Sequence, residues 1–77
     1  MNIRIKYFGL LTEVTGCSEE ILEFHGETVG ELLTELNKKH ALLESKDFQI
    51  AQNQQLVGLQ EQINGTEIAL LPPFSGG

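Results

Sequence analysis

The amino-acid sequence predicts an α+β domain in which one β-sheet packs against one main α-helix. Segments near both ends alternate apolar and polar residues, as β-strands do, and a central segment carries an apolar stripe at helical spacing. The 77 residues suffice for a core of one helix on one sheet. We therefore expect residues 1–77 to form a single domain, from which residues 72–77 project as a tail.

The first strand is predicted over residues 2–8, where the side chains alternate with a period of two. Three of them share one face: Ile3, Ile5 and Tyr7. Phe8 belongs to the opposite face. Gly9 ends the strand, residues 10–15 have room for one short helical turn, and residues 19–24 predict a second strand that returns antiparallel to the first.

The main helix is predicted to begin after Thr28, which forms a capping box with Glu31. The apolar stripe that follows consists of Val29, Leu32, Leu33, Leu36 and His40. Lys38 and Lys39 fall in the last turn, where positive charge interacts favourably with the helix dipole. The pattern therefore predicts one helix over residues 29–40.

The remaining strands are shorter. Residues 48–51 predict a third strand at a sheet edge, followed by a turn at residues 53–55 and a brief return strand at residues 56–57. Asn64-Gly65 is a strong turn dipeptide, and residues 66–71 predict the last strand. Alternation divides this strand into Ile68 and Leu70 facing inward and Glu67, Ala69 and Leu71 facing outward.

The charge makes nucleic acid and anionic membrane surfaces poor partners. Eleven acidic residues against five basic ones give a net charge of −6. A protein with a basic surface is the better expectation, with association that slows as salt rises. The alternative is that the acidity only aids solubility.

The N-terminus predicts a cytoplasmic protein. Arg4 and Lys6 interrupt the first apolar residues, so the segment does not resemble a signal peptide. No apolar run approaches the ~18 residues that span a bilayer. The single cysteine, Cys17, excludes an internal disulfide and fits a reducing compartment.

The side chains offer no recognisable catalytic or metal site. His25 and His40 are far apart in the sequence and have no cysteine or paired carboxylate at metal-site spacing. Cys17 lacks a basic neighbour that would activate a thiol. Ser18 and Ser75 lack a base arranged as in a hydrolase. We therefore expect a chain that binds no metal or cofactor and does not catalyse a reaction alone.

The segment Pro72-Pro73-Phe74-Ser75-Gly76-Gly77 predicts an extended tail with a usable carboxylate. The two prolines fix φ and lack N–H donors, so the chain should leave the fold extended. Six residues reach at most about 20 Å. Gly76 and Gly77 have no side chains and so fit a narrow slot. The alternative is a frayed terminus.

A carboxylate at Gly77 is a poor electrophile and needs activation by another enzyme. Adenylation with ATP would supply a good leaving group, and a sulfur donor would then displace AMP to leave a thiocarboxylate. Docking of the domain on a partner would give this tethered group a high effective concentration. Phe8 and Leu71 are candidate docking residues because both face away from the helix, near the start of the tail. The alternative is that they are two unrelated surface residues.

Three parts of the chain resemble the small subunit of molybdopterin synthase. They are residues 3–9 (Ile-Arg-Ile-Lys-Tyr-Phe-Gly) with 11–16, residues 28–33 (Thr-Val-Gly-Glu-Leu-Leu), and residues 64–77, which close on Pro-Pro-Phe-Ser-Gly-Gly. The resemblance covers nearly the whole length and is most specific in the last segment. It departs from the family at Thr12, where members often carry Arg.

The resemblance implies a ubiquitin-like β-grasp fold, with a mixed sheet whose first and last strands are central and parallel. It also implies a sulfur carrier in molybdenum cofactor biosynthesis. An E1-like enzyme would adenylate Gly77 and a sulfur donor would convert it to a thiocarboxylate. The tail, threading through Gly76 and Ser75, would enter the active site of the large synthase subunit and donate sulfur to the cyclic pyranopterin precursor. The implied assembly has two small and two large subunits.

The positions that match the family's docking surface are Phe8, Leu56, Leu71, Pro73 and Phe74. Two other functions stay open. One is a sulfur carrier for thiamine thiazole synthesis, for tRNA thiolation or for protein conjugation. The other is an acidic, non-covalent interaction module whose tail is never activated, and which would pair through a sheet edge or the Phe8–Leu71 surface.

Overall fold

The computed structural model describes residues 1–73. Within them the chain forms β1 (Asn2–Tyr7), α1 (Leu11–Thr15), β2 (Glu19–Glu23), α2 (Val29–Lys39), a 3-10 turn (Ala41–Ser45), β3 (Gln49–Gln52), β4 (Gln55–Leu56) and β5 (Glu67–Leu71). The strands lie in the order β2-β1-β5-β3-β4. Strands β1 and β5 are parallel, and the other neighbouring pairs are antiparallel. This is the ubiquitin-like β-grasp arrangement, so the predicted fold class is confirmed.

The core lies between the sheet and α2. Alternation along β1 and β5 buries one face of each strand, and the amphipathic stripe of α2 covers that face. The buried cluster comprises Ile3, Ile5, Tyr7, Leu11, Phe24, Val29, Leu32, Leu36, Leu43, Ile50, Ile68 and Leu70. We call the covered side of the sheet the inner face and the opposite side the outer face. The inward residues predicted for the first and last strands are confirmed.

Helix α2 begins where the capping box predicts. The Thr28 side chain accepts the Glu31 N–H at 3.2 Å. Two further N–H groups of the first turn donate to the loop before β5, Val29 to the Glu61 carbonyl and Gly30 to the Leu59 carbonyl, each at 2.9 Å. These contacts satisfy donors that helix geometry leaves free, and they fasten the loop to the helix.

Strand β3 differs from its predicted place at the sheet edge. It lies between β5 and β4, and β4 forms the edge. The reason is the turn at Asn53 and Gln54, whose φ angles of 54° and 65° close a tight hairpin. That hairpin gives β3 a second neighbour. It also buries Gln52, whose side-chain amide donates to the Gln62 carbonyl and accepts from the Asn64 N–H, both at 3.0 Å.

A cluster of polar side chains joins β2 to the end of α2. One oxygen of the Glu20 carboxylate lies 2.5 Å from the Tyr7 hydroxyl and 2.6 Å from His40 Nε2. The other oxygen lies 2.5 Å from Lys39 Nζ. Burial and the neighbouring Glu20 raise the pKa of the Tyr7 phenol above its ordinary range, so the hydroxyl stays protonated and donates.

The same contacts lower the pKa of the Glu20 carboxyl. Burial alone would raise the pKa of the Glu20 carboxyl. The three hydrogen-bond donors outweigh burial and lower its pKa from the ordinary 4.5 to about 2. Glu20 therefore remains a carboxylate through the whole neutral and mildly acidic range, and it holds the helix end against the sheet.

We expect acid to weaken the fold through Glu20. A carboxyl whose folded-state pKa is lowered contributes stability above its unfolded pKa, and loses that contribution as the pH falls toward the folded value. The free energy of unfolding should thus fall between pH 4.5 and about pH 2. The Glu20→Gln variant should lack this component, on the order of 2 kcal/mol at neutral pH. Urea titrations across this pH range measure the difference.

The matched control is Glu67→Gln, which removes the partner of Lys6 in an exposed ion pair of 2.9 Å. Exposed pairs contribute at most about 1 kcal/mol, so this variant should retain the acid-dependent loss of the parent chain. Equal pH profiles for Glu20→Gln and the parent would show that the Glu20 cluster does not stabilise the fold.

Candidate docking surface and origin of the tail

The ends of the two parallel strands bring Phe8 and Leu71 to one edge of the sheet. Tyr7 is registered with Leu70, and the Phe8 N–H donates to the Leu70 carbonyl at 3.2 Å. Tyr7 and Leu70 are buried on the inner face, so the residues that follow them turn outward. Phe8 is 44% exposed and Leu71 is half-buried. The predicted juxtaposition of these two residues is confirmed, and their docking role stays a prediction.

Leu56 shares the outer face through the register of β3. Residues directly opposite each other in neighbouring strands point to the same face of a sheet. Ala51 is opposite Ala69 on one side and Leu56 on the other. Leu56 is 56% exposed. The outer face thus carries Phe8 at one side, Leu56 at the other and Leu71 between them; we call these three residues the apolar strip.

The outer face is concave at its centre because the alanine side chains there are small. A shallow depression of about 360 Å³ is lined by Ala51, Asn53, Gln54, Glu67 and Ala69. Charged residues of the outer face pair with each other, Lys6 with Glu67 at 2.9 Å and Arg4 with Glu19 at 3.4 Å. A partner that covers the apolar strip therefore meets neutralised charges beside it, which lowers the cost of desolvation.

The tail begins directly at the apolar strip. Pro72 and Pro73 follow β5 and are exposed. The site residues Phe74, Ser75, Gly76 and Gly77 lie outside the described residues, so their predicted roles in docking, threading and sulfur transfer stay predictions. What the structure does place is the origin of the tail, one residue beyond Leu71 and beside the end of β1.

Gly9 also lies at this edge. The sequence predicts it only to end the first strand, whereas the structure places it against Pro72. The available signal was that a glycine follows one central strand and a proline follows the other, and parallel strands end at the same edge. Leu10, 73% exposed and next in the chain, was also given no role.

The described residues offer no chemistry of their own at this surface. Among residues 1–73 no group of three or more His, Cys, Asp or Glu side chains could hold a metal ion. His40 is engaged with Glu20, and His25 is exposed beside Glu23 at 3.6 Å. No helix in that part of the chain is long and apolar enough to cross a membrane. What the geometry provides is an apolar surface beside the root of a tail.

Known proteins are similar to this chain over its whole length. The family model described as "ThiS family" matches residues 5–77. The molybdopterin synthase sulfur carrier subunit of Chlamydomonas reinhardtii is 35% identical over 83 residues, covering 100% of both chains.

Solved structures share the fold. A putative molybdopterin converting factor subunit 1 from Pyrococcus furiosus superimposes with a TM-score of 0.88 at 26% identity, covering 96% of this chain and 99% of that one. SAMP1 from Haloferax volcanii gives 0.84 at 31% identity, and a complex of subunits 1 and 2 of the molybdopterin-converting factor from Helicobacter pylori gives 0.69 at 28%. Both cover 100% of each chain. With its β-grasp sheet and a family match that reaches Gly77, the chain belongs to the ThiS family.

Proposed function

We propose that the chain is the sulfur-carrier subunit of a molybdopterin synthase, and that Gly77 carries the sulfur as a thiocarboxylate. The observation that carries the proposal is the placement of the apolar strip beside the origin of the tail. A domain docked through Phe8, Leu56 and Leu71 directs the tail into its partner. The full-length similarity to a molybdopterin synthase sulfur carrier subunit supports this function over other sulfur-carrier roles.

The chemistry begins with activation by a partner enzyme. A Gly77 carboxylate oxygen attacks the α-phosphorus of ATP on an E1-like enzyme, and pyrophosphate leaves. A sulfur donor that delivers the equivalent of hydrosulfide then attacks the acyl adenylate, and AMP leaves. The thiocarboxylate is a soft anionic nucleophile whose sulfur displaces an oxygen substituent of the cyclic pyranopterin precursor. Water then attacks the Gly77 acyl carbon, which releases the Gly77 carboxylate and leaves the sulfur on the precursor. The chain itself binds no cofactor in this scheme, since the activating enzyme uses the ATP.

The principal partner is the large synthase subunit. The similarity to subunit 1 in the Helicobacter pylori complex of subunits 1 and 2 supports such a pair. Pro73 and Phe74 extend the docking surface along the tail, while Ser75 and Gly76 pass through the entrance of the partner's active site. We propose two copies of each subunit in the assembly, in the cytoplasm. The net charge of −6 favours a basic rim around the partner's docking site.

A second candidate function follows from the similarity to SAMP1, named a small archaeal modifier protein. In that function the adenylated Gly77 carboxyl passes to a protein amine and AMP leaves, so the chain becomes covalently attached through an amide bond. The apolar strip and the tail serve equally well there, because both functions require presentation of one carboxyl to another protein.

A sulfur supply experiment separates these functions. The thiocarboxylated chain is mixed with the large synthase subunit and the cyclic pyranopterin precursor, and the dithiolene product and the regenerated carboxylate are measured together. We expect the product to accumulate in proportion to the thiocarboxylate consumed. Absence of the dithiolene product, together with amide-linked adducts on other proteins when the unmodified chain is incubated with a cell extract and ATP, would favour the modifier function.

A further inference from the structure

We propose that Gly9 is a positioning residue for the tail, because Pro72 rests on it and so takes a fixed direction as the chain leaves β5. The effect on sulfur delivery rests on the proposed function, whereas the contact itself does not. Gly9 lies between β1 and α1, outside the apolar strip. Gly9 sets the direction of the tail and does not bind the partner.

The contact leaves no room for a side chain. A Cβ built on Gly9 lies 2.7 Å from Pro72 Cγ and 3.8 Å from both Pro72 Cβ and Pro72 Cδ. Non-bonded carbon atoms prefer a separation of about 3.5–4.0 Å, so only the Cγ contact is too short. Gly9 also has a φ of +62°, a backbone conformation that residues other than Gly, Asn and Asp rarely adopt. Two independent constraints therefore select glycine here.

The turn that carries Gly9 cannot easily yield. The Gly9 carbonyl accepts the Thr12 N–H at 3.2 Å and the Thr12 hydroxyl at 2.9 Å. Leu11, the first residue of α1, is 3% exposed and anchors the turn in the core. A side chain at position 9 is thus accommodated at lower cost by moving exposed Pro72 than by moving the turn.

A small movement at Pro72 changes the direction in which the chain leaves the fold. Leu71 is held by its register with Gln49, so the displacement begins at Pro72. Because proline fixes φ, the position of the Pro72 ring sets the direction in which the chain leaves β5. Misplacement of a reacting group by about 1 Å can cost on the order of 100-fold in rate. Phe8, Leu56 and Leu71 keep their places in this movement, so docking through the apolar strip is retained, and only the proposed partner contacts of Pro73 and Phe74 are disturbed.

Gly16 provides a matched control. It has a φ of +80°, it ends α1, and a Cβ there meets nothing within 4 Å. Asn is tolerated in this left-handed conformation. Gly9→Asn and Gly16→Asn therefore impose similar backbone strain, and only the first crowds Pro72.

The first measurement is made on the isolated full chain by NMR. We expect a nuclear Overhauser effect between the Gly9 Hα protons and the Pro72 ring protons in the parent chain, and changed shifts for Pro73 and Phe74 in Gly9→Asn but not in Gly16→Asn. Absence of that effect in the parent, or equal shift changes in the two Asn variants, overturns the proposal. If Gly9→Asn does not fold, the parent measurement still decides.

The second measurement separates positioning from docking. With the thiocarboxylated chains and the large synthase subunit, we expect Gly9→Asn to lower the single-turnover rate of sulfur transfer by on the order of 10-fold to 100-fold. The dissociation constant should change by less than the rate does, because the apolar strip keeps its place and only the contacts of Pro73 and Phe74 are disturbed. Gly16→Asn should keep the parent rate.

Two outcomes overturn the role in delivery: a Gly9→Asn rate equal to that of Gly16→Asn, or a loss confined to the dissociation constant. A parent chain that shows the contact by NMR yet transfers no sulfur refutes the proposed function and leaves the placement of Pro72 by Gly9 supported. The two failures are therefore distinguishable.

Discussion

Deletion of Gly77 is expected to abolish sulfur transfer and to leave the fold unchanged. In the proposed function the terminal carboxyl is the group that is activated, and a chain that ends at Gly76 would place its carboxyl one residue short of the reacting centre, by about 3.5 Å. All of the residues in the buried cluster lie between Ile3 and Leu70, so the unfolding midpoint should not move. The sulfur supply experiment and a thermal melt measure the two effects.

Gly76→Leu is a companion variant that keeps the length of the tail. A branched side chain on the residue next to the reacting carboxyl should block a narrow entrance and lower transfer by at least about 100-fold. The control is Gly58→Ala, because a Cβ at Gly58 meets nothing within 4 Å and its backbone is not left-handed. That control should keep full transfer. Undiminished transfer by Gly76→Leu would show that the tail does not thread a slot.

Leu71→Asp and Phe8→Asp are expected to weaken binding to the large synthase subunit at least about 10-fold, or 1.4 kcal/mol. Leu71→Asp places a carboxylate in the middle of the apolar strip, and Phe8→Asp places one at its side. Docking would remove either carboxylate from water without an opposite charge to pair with it. Titration calorimetry measures the dissociation constant, and circular dichroism checks that the fold is retained.

Leu42→Asp is the control for these two variants. Leu42 is 66% exposed and belongs to the 3-10 turn after α2, on the helix side of the sheet. It is as apolar as Leu71 and more exposed than any residue of the apolar strip, yet it lies outside that surface. Its variant should bind like the parent chain. Equal affinities for all three variants would assign Phe8 and Leu71 to ordinary exposed surface.

Much of the fold follows from local patterns in the sequence. The alternation of β1 and the capping box of α2 predict those elements because period and cap are properties of a few neighbouring residues. The outward direction of Phe8 and Leu71 follows from the same alternation. Their meeting at one edge depends on the parallel pairing of β1 and β5, which the resemblance supplied and the structure confirms.

The features that sequence reasoning missed depend on residues far apart in the chain. The turn after β3 and its return strand are predicted, but the interior place of β3 depends on its pairing with β5, which the alternation of so short a strand does not specify. The Glu20 cluster draws its members from β1, β2 and the end of α2, and no local spacing reveals it. The contact of Gly9 with Pro72 likewise arises only once two strands are paired.

The central claim is that Gly77 carries the sulfur. The direct test incubates the chain with ATP, an E1-like adenylating enzyme and a sulfur donor, and then measures the intact mass and the masses of its fragments. We predict that one oxygen is replaced by one sulfur, that the change lies on Gly77, and that it requires ATP. An unchanged mass while a known carrier is converted in the same mixture, or sulfur found on Cys17 instead, would contradict the claim.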